Sequence, residues 1–277
     1  MPVVASFSIL GDVAQQIGGE RVAVQSLVGA NQDAHAYNLT SSDIKKIREA
    51  RLVLLNGLGL EKAELQRAVK QSKVASAEAT AGIKPLAADE HHHEHNHGHD
   101  HDHGEFDPHV WNDPVLMQRY AANVAIALIK ADPAGSRYYQ QRFKDYQNVL
   151  NQLNNYANQQ FGAVAPAKRK VLTGHDSFAY LGKRYQVKFI SPQGVSSEAE
   201  PSARQIAAII RQIKAENVKA VFTENIKDGR MIARIAKETG VKVSGGLYAD
   251  ALSSGAPAGT YADMFRYNVR VMSEAMK

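Results

Sequence analysis

The sequence contains no cysteine. That absence excludes disulfides, zinc sites built from thiolates and catalysis by a thiol, and it leaves nitrogen and oxygen atoms as the available metal ligands. Long apolar runs are also missing, because none approaches the ~20 residues that a helix needs to span a bilayer. We therefore expect a chain that is not itself membrane-spanning.

The first residues lack the basic segment and the apolar core of a signal peptide. Met1 is followed directly by Pro-Val-Val-Ala-Ser-Phe, which is typical of a first strand. Taken alone, this start predicts either a cytoplasmic protein or the processed form of a secreted one. The acceptor cysteine of a lipid anchor is absent too, although trimming would remove it.

The formal net charge is only mildly positive, at +5 with a pI of about 9.2. The basic residues are scattered along the chain. A clustered basic surface would be expected for nucleic acid binding, so no nucleic acid partner is expected. With 44% hydrophobic and 22% charged residues, the 277-residue chain has the composition of a soluble globular protein. Its length suits one large domain or two lobes, and we expect two.

Short β-branched runs alternate with helical patterns in both halves of the chain, which predicts an α/β fold with parallel sheets flanked by helices. The predicted strands lie at 3–7, 22–28, 52–56, near Val74, and at 170–173, 187–190, 220–223 and 241–244. In the second half, helices are expected to begin near Phe178, Pro201, Gly229 and Tyr261.

The segment 136–161 contains neither glycine nor proline, and its large apolar residues recur at intervals of three and four. This pattern predicts one long amphipathic helix that joins two lobes. The predicted division is an N-terminal lobe at 1–134 that includes a mobile histidine-rich loop at 88–105, a linking helix at 135–162 and a C-terminal lobe at 163–277. A long surface helix within a single domain is the alternative.

The chain has 11 histidines, of which eight lie between His91 and His103, so only three remain elsewhere. These are His35, His109 and His175, in the turn-like contexts DAHAYN, DPHVWND and TGHDSF. Any one of them could be a hydrogen-bonding residue of a turn. Their scarcity elsewhere and the neighbouring tract favour metal binding by all three.

Two of these histidines and one aspartate follow predicted strands: His35, His175 and Asp250. In open parallel sheets, ligands bind beyond the carboxyl ends of the strands, so these side chains can converge with His109 if the lobes face each other. Three imidazoles and one carboxylate would complete the tetrahedral shell of Zn²⁺. The sequence therefore predicts a metal site in a cleft.

The tract itself has no apolar residues, so it cannot pack into a core and is expected to be a mobile loop. His103 is six residues from His109, a reach of ~20 Å when extended, which would hold captured metal near the cleft. A solvated loop without a transport role is the alternative. Secondary, weak metal sites are predicted at His91, His92, His93, His95, His97, His99, His101 and His103.

An ordered set of motifs resembles the zinc- and manganese-binding receptors of bacterial ABC importers, over essentially the whole chain. The motifs are TSSDIKKI after His35, DPHVWNDP, TGHDSFAYL, GVSSEAEPS, VFTEN, LYADALS and TYADMFRYNV. The first motif departs from the family pattern, since Ala34 stands where proline is usual and Asn38 where glutamate is usual.

The resemblance implies two α/β lobes joined by one rigid helix, with His35, His109, His175 and Asp250 as the metal ligands. Manganese-type members have a carboxylate at the third position, so His175 implies Zn²⁺ in preference to Mn²⁺. A histidine-rich insertion before the second ligand is also typical of zinc-type members. The resemblance further implies a periplasmic monomer, released from its signal peptide, that delivers zinc to an ABC permease in the inner membrane.

Two other functions are alternatives. A zinc hydrolase would need a general base, for which Glu198 or Glu224 would serve, but no HExxH motif is present, and no enzyme activity is expected. A metal-buffering or adhesion protein would use the histidine tract. For a receptor, release is expected either from proton competition as pH falls toward ~6.5 or from movement of the Asp250 loop, which the segment 253–259 would permit.

Overall fold

The computed structural model describes residues 1–88 and 106–277. The histidine tract between His91 and His103 lies outside the described residues, and so do the weak metal sites predicted there. Within the described part, no helix is both long and apolar enough to cross a membrane.

The first half of the chain builds one parallel sheet from alternating strands and helices. Its strands are short and β-branched, and each is followed by a helix that returns the chain to the same end of the sheet. In chain order the elements are β1 (Pro2–Phe7), α1 (Ser8–Gly18), β2 (Ala23–Val28), α2 (Ser41–Glu49), β3 (Leu52–Leu55), α3 (Ala63–Ser72), β4 (Ser76–Glu78) and α4 (Leu116–Ala131).

The second half repeats the arrangement after a long helix, α5 (Ser136–Gly162). Its elements are β5 (Lys170–Leu172), α6 (Ala179–Tyr185), β6 (Lys188–Ile190), α7 (Ala203–Glu216), β7 (Ala220–Glu224), α8 (Arg230–Thr239), β8 (Gly245–Leu247) and α9 (Tyr261–Met276).

Both sheets have the same topology. The strand orders are β2-β1-β3-β4 and β6-β5-β7-β8, and every pair of neighbours is parallel. In the first sheet the connection after β1 runs to one side and the connection after β3 runs to the other, and β5 and β7 show the same in the second sheet. Ligands of open α/β sheets bind at this kind of switch point, outside the carboxyl ends of the strands. The predicted fold of two parallel sheets flanked by helices is confirmed.

The long helix α5 corresponds to the segment predicted from its lack of glycine and proline. Its 27 residues span about 40 Å at ~1.5 Å per residue. Its buried face packs on α4 in the first half and on α9 in the second. That face consists of Tyr139, Tyr146, Leu150, Leu153, Ala157 and Phe161. The residue limits of the two lobes stay a prediction.

One apolar core continues from the first sheet through α5 to the second. Val3 and Leu54 of the first sheet belong to the same buried cluster as Leu150 of α5 and Phe222 of β7. Two smaller clusters fill the other faces of the sheets, beneath α2 and α3 and beneath α7 and α8. This shared core fixes the two sheets relative to each other, which is what a site between them requires.

Two edge strands differ from the predicted positions. The strand expected near Val74 lies at Ser76–Glu78, and the one expected at 241–244 lies at Gly245–Leu247. In the second case the β-branched Val241 and Val243 pack against the outer cluster instead. Two glycines pair with β7 in their place, so the register with the neighbouring strand outweighs local β-propensity.

Candidate metal centre

His35 lies in the turn after β2 and is almost fully buried. Its backbone N–H donates to Asp33 Oδ1 at 2.9 Å, a bond that fixes the turn. Thr40 then caps α2 through a reciprocal pair of hydrogen bonds with Asp43. The turn carrying His35 is thus held at both ends by local hydrogen bonds.

His109 is completely buried and is fixed by the aspartate two residues before it. Asp107 Oδ1 accepts from the His109 backbone N–H at 2.9 Å and from its ring Nδ1 at 2.7 Å. A carboxylate only accepts, so Nδ1 carries a proton and Nε2 is the atom directed at the cluster.

His175 follows β5 and is fixed by a carboxylate from a neighbouring strand. Glu224, the last residue of β7, accepts from His175 Nδ1 at 2.7 Å through Oε2. Its other oxygen lies 3.3 Å from the His175 backbone nitrogen. His109 and His175 are therefore oriented in the same way, each by a buried carboxylate on Nδ1, which is typical of imidazoles that ligate metals.

Asp250 follows β8, is fully buried, and completes the cluster. Its Oδ2 lies 2.9 Å from His35 Nε2 and 3.0 Å from His175 Nε2. Its Oδ1 lies 3.3 Å from His109 Nε2, yet no hydrogen bond within the described residues satisfies that buried oxygen. An orphaned carboxylate oxygen among three imidazoles is a strong indication that a cation belongs there.

The structure thus brings together all four residues that the sequence singled out for the cleft. One donor atom from each of His35, His109, His175 and Asp250 lies within 4.8 Å of the others. All four residues are buried, so an ion at their centre would exchange its hydration shell for protein ligands.

The pKa values in the cluster show that its histidines and carboxylates are electrostatically complementary. Burial by itself lowers the pKa of His109, but Asp250 and Asp107 outweigh it and raise that pKa to about 9. Burial likewise lowers the pKa of His175, while Glu224 and Asp250 raise it well above its usual value. Burial would raise the pKa of Asp250, yet the three histidines hold it far below its usual range. The carboxylates therefore favour positive charge at the centre, whether protons or a metal ion.

The two candidate bases of a hydrolase are both engaged elsewhere. Glu198 is 47% exposed and forms an ion pair with Lys62 at 3.0 Å. Glu224 is occupied by His175 through both of its oxygens. Neither carboxylate is placed to activate a water molecule at the cluster.

Three residues around the site were not recognised as its supports from the sequence: Asp33, Asp107 and Glu224. Asp107 had a visible signal, because it lies two residues before His109 in the DPH motif. Glu224 follows the predicted strand 220–223, and the sequence suggests it only as the general base of a hydrolase. Nothing local identifies it as the partner of a histidine 49 residues away.

Proteins similar to this chain are also described as metal-binding or metal-uptake proteins. A family model described as zinc-uptake complex component A, periplasmic, matches residues 3–275. The manganese-binding lipoprotein MntA of Bacillus subtilis (strain 168) is 32% identical over 287 residues, covering 100% of this chain and 90% of that protein.

Solved structures agree in fold over nearly the whole chain. The periplasmic zinc binding protein TroA from Treponema pallidum matches with a TM-score of 0.90 and 26% identity, covering 99% of this chain and 98% of that one. The Mn-bound periplasmic metal binding protein from Candidatus Liberibacter asiaticus matches with a TM-score of 0.84 and 28% identity, covering 100% and 99%. The chain therefore belongs to the zinc-uptake complex component A family, whose members are metal-binding receptors of ABC transporters and not enzymes.

Proposed function

We propose that this receptor captures Zn²⁺ between its lobes through Nε2 of His35, His109 and His175 and the carboxylate of Asp250, and delivers the ion to an ABC importer. The observation that carries the proposal is the convergence of three imidazoles on one buried carboxylate that has an unsatisfied oxygen. Zn²⁺ is the transported cargo in this proposal, so the site must bind it tightly and also let it go.

The donor set supports zinc over manganese. Three imidazole nitrogens and one carboxylate suit the four-coordinate preference of Zn²⁺, whereas Mn²⁺ favours more oxygen ligands in a larger shell. The relatives do not decide the question, because MntA is named for manganese and TroA for zinc. The choice of metal therefore rests on the ligands of this chain.

Binding at the cluster would be aided by the two buried carboxylates behind the histidines. Asp107 and Glu224 hold their imidazoles with Nε2 toward the centre and strengthen them as donors. Little reorganisation is needed when the ion arrives, since each ring is already oriented. This arrangement favours high affinity at a preformed site.

The expected partner is a permease in the inner membrane, and the expected location is the periplasm, with the signal peptide removed. Support comes from the family, which is described as periplasmic, and from relatives that are named as ABC transporter components. The receptor is expected to act as a monomer.

The histidine tract offers a second place for metal, which the test must separate from the cleft. We would titrate Zn²⁺ and Mn²⁺ in competition with a chelator, on a variant lacking residues 91–103. The same variant carrying His175→Ala would be measured beside it. A zinc site that survives loss of the tract and is lost with His175 supports the cleft receptor.

Other outcomes separate the alternatives. No tight site after removal of the tract would mean that the tract binds the metal, as a buffering or adhesion protein requires. Tighter binding of Mn²⁺ than of Zn²⁺ by the tract-deleted protein would overturn the assignment of the metal but keep the site.

A further inference from the structure

One carboxylate beside the cluster contacts both halves of the protein. Asp33 Oδ1 accepts from the backbone N–H of His35 at 2.9 Å. Asp33 Oδ2 accepts from the hydroxyl of Ser197, which lies 164 residues further along the chain. The residue that shapes the His35 turn is therefore also bonded to the opposite lobe.

Ser197 belongs to a segment between β6 and α7 that contains neither helix nor strand. Even so, Ser197 is only 1% exposed, so its hydroxyl has little access to water as an alternative partner. Gln193 holds this segment from inside, since its side-chain Nε2 donates to Ser197 O at 3.2 Å and to Ala199 O at 2.7 Å.

Gln193 is in turn bonded to the turn that carries His175. Its backbone N–H donates to Gly174 O at 3.3 Å, and its carbonyl accepts from Asp176 N–H at 3.1 Å. We call residues 193–197 the strap. A continuous run of hydrogen bonds thus joins the His35 turn to the His175 turn through Asp33 and the strap, without passing through the metal.

We propose that Asp33 and Ser197 are positioning residues that hold His35 against His175 and so set the rate at which the metal leaves. The inference rests on the proposed function of the four-residue site and assigns to it a control of release. Neither residue supplies a donor atom to the cluster, so they act on the ion only through the turn that bears His35.

The physical reason lies in the order of events on release. The ion is buried among four ligands from two lobes, so it leaves only after the lobes, or one ligand turn, move apart. The Asp33–Ser197 bond joins the two lobes, and it breaks when the lobes separate or when the His35 turn moves. A hydrogen bond to a charged acceptor is about twice as strong as one between neutral groups. Changes at one interface act mostly on dissociation rates.

Ser197→Ala tests the proposal with little disturbance. It removes the hydroxyl and leaves Asp33 bonded to His35. The full chain would be loaded with one equivalent of Co²⁺, whose visible absorption reports the ligand set, and mixed with an excess of chelator. Decay of the absorption gives the release rate, and the measurement is then repeated with Zn²⁺ and a fluorescent chelator.

We expect Ser197→Ala to release the ion ~10- to 100-fold faster, the range for loss of an outer partner of a metal site, with the Co²⁺ spectrum unchanged. Ser197→Thr restores a hydroxyl and should return the rate toward that of the wild type. Ser196→Ala is the matched control, because the Ser196 hydroxyl accepts from Glu198 N–H within the same segment. It should release at the wild-type rate.

The result that overturns the proposal is release from Ser197→Ala at the wild-type rate. Equal acceleration by Ser196→Ala also overturns it, because the effect would then belong to the segment as a whole. Should Ser197→Ala fail to fold, Asp33→Asn decides the question, since it keeps an oxygen for His35 but gives up the charged acceptor. Absence of a tight site in the wild type would instead defeat the proposed function itself.

Discussion

Two sets of contacts between the lobes near the cluster differ in their chemistry. The first, which we call the buried interface, joins Trp111 to Ala249 and Tyr261, all fully buried. Trp111 Nε1 donates to Ala249 O at 2.9 Å, and the Tyr261 hydroxyl donates to Trp111 O at 2.6 Å. Breaking either bond would leave a buried polar group without a partner.

The second set, the polar interface, consists of three side-chain pairs: Asp33–Ser197, Lys62–Glu198 and Asn31–Asn225. Lys62 and Glu198 are 29% and 47% exposed, so water can replace each partner when they separate. The two asparagine side chains are joined at 2.9 Å in an exposed position. Water can therefore replace the partners in two of the three pairs of this interface when the lobes separate, and Asp33–Ser197 is the buried pair.

Each interface holds a different residue of the cluster. Asp250 is next to Ala249, and Leu252 of the same loop donates from its N–H to Ser8 Oγ at 3.0 Å and accepts from Asn31 N–H at 2.8 Å. His35 is held from the polar interface through Asp33. We infer that the His35 side is the one that yields on release. Movement of the Asp250 loop, which the segment 253–259 would permit, stays a prediction and would have to break both bonds. Movement of the His35 turn would leave the bond to Ser8 intact.

The largest effect is expected from Asp250→Ala, which removes the anionic ligand and leaves three imidazoles. Zinc affinity should fall by more than the ~10- to 100-fold that loss of an outer partner costs. Competition titration on the tract-deleted protein measures it. Asp250→Asn keeps the size and one oxygen of the side chain without its charge. Its zinc affinity should lie between that of the wild type and that of Asp250→Ala. Unchanged affinity in Asp250→Ala would remove Asp250 from the ligand set.

The pH dependence of zinc affinity tests whether the histidines between the two interfaces bind the metal. A metal ion must displace the proton of His109, whose pKa is raised to about 9, and that of His175, which is raised as well. Protons therefore compete at every pH below about 9, and apparent zinc affinity should fall about tenfold per pH unit for each proton displaced.

Titrations at several pH values, with proton release followed by an indicator dye, measure this dependence. Asp107→Asn removes one of the two charges that raise the His109 pKa, so its dependence should be shallower near neutral pH. An affinity that does not change between neutral and mildly acidic pH would show that the histidines are not ligands.

Trp111→Phe weakens the buried interface and leaves the three pairs of the polar interface in place. It removes the donor to Ala249 O, leaving a buried carbonyl unpaired next to Asp250, and it leaves a small cavity. The free energy of unfolding should fall by about 1–3 kcal/mol, measured by denaturant titration of the metal-free chain. Tyr267→Phe, at an aromatic contact with Tyr248 that lies within the second half of the chain and does not join the lobes, is the control. Equal stability of the two variants would contradict the role given to Trp111.

Much of the fold was predictable because its signals are local. The alternation of β-branched runs with helical patterns located most strands, and the absence of glycine and proline located α5. The strand β8 was predicted too early in the chain, at 241–244, because its two glycines pair through the register of β7, which only the assembled sheet defines.

The three histidines of the cluster were predictable for a different reason. Only three histidines lie outside the tract, so their scarcity marked them without any knowledge of the fold. Their supports were hidden, since Ser197 is one of many serines and its partner Asp33 is 164 residues away. Pairings of that kind follow from the meeting of two lobes and have no local signature.

The smallest effect is expected from Lys62→Gln, which removes the ion pair with Glu198 and leaves Asp33 bonded to Ser197. Because both partners are partly exposed, the pair contributes at most ~1 kcal/mol, and release should accelerate by about fivefold or less. Added salt should speed release from the wild type toward the rate of the variant, since it screens exposed charges.

Stopped-flow release of Zn²⁺ at low and high salt measures both effects. Lys45→Gln is the control, because it removes an exposed ion pair with Glu49 inside α2. An acceleration by Lys62→Gln as large as that of Ser197→Ala would mean that the ion pair, and not the buried hydroxyl, links the lobes. The polar interface would then act through its exposed charges, and release would depend on ionic strength throughout.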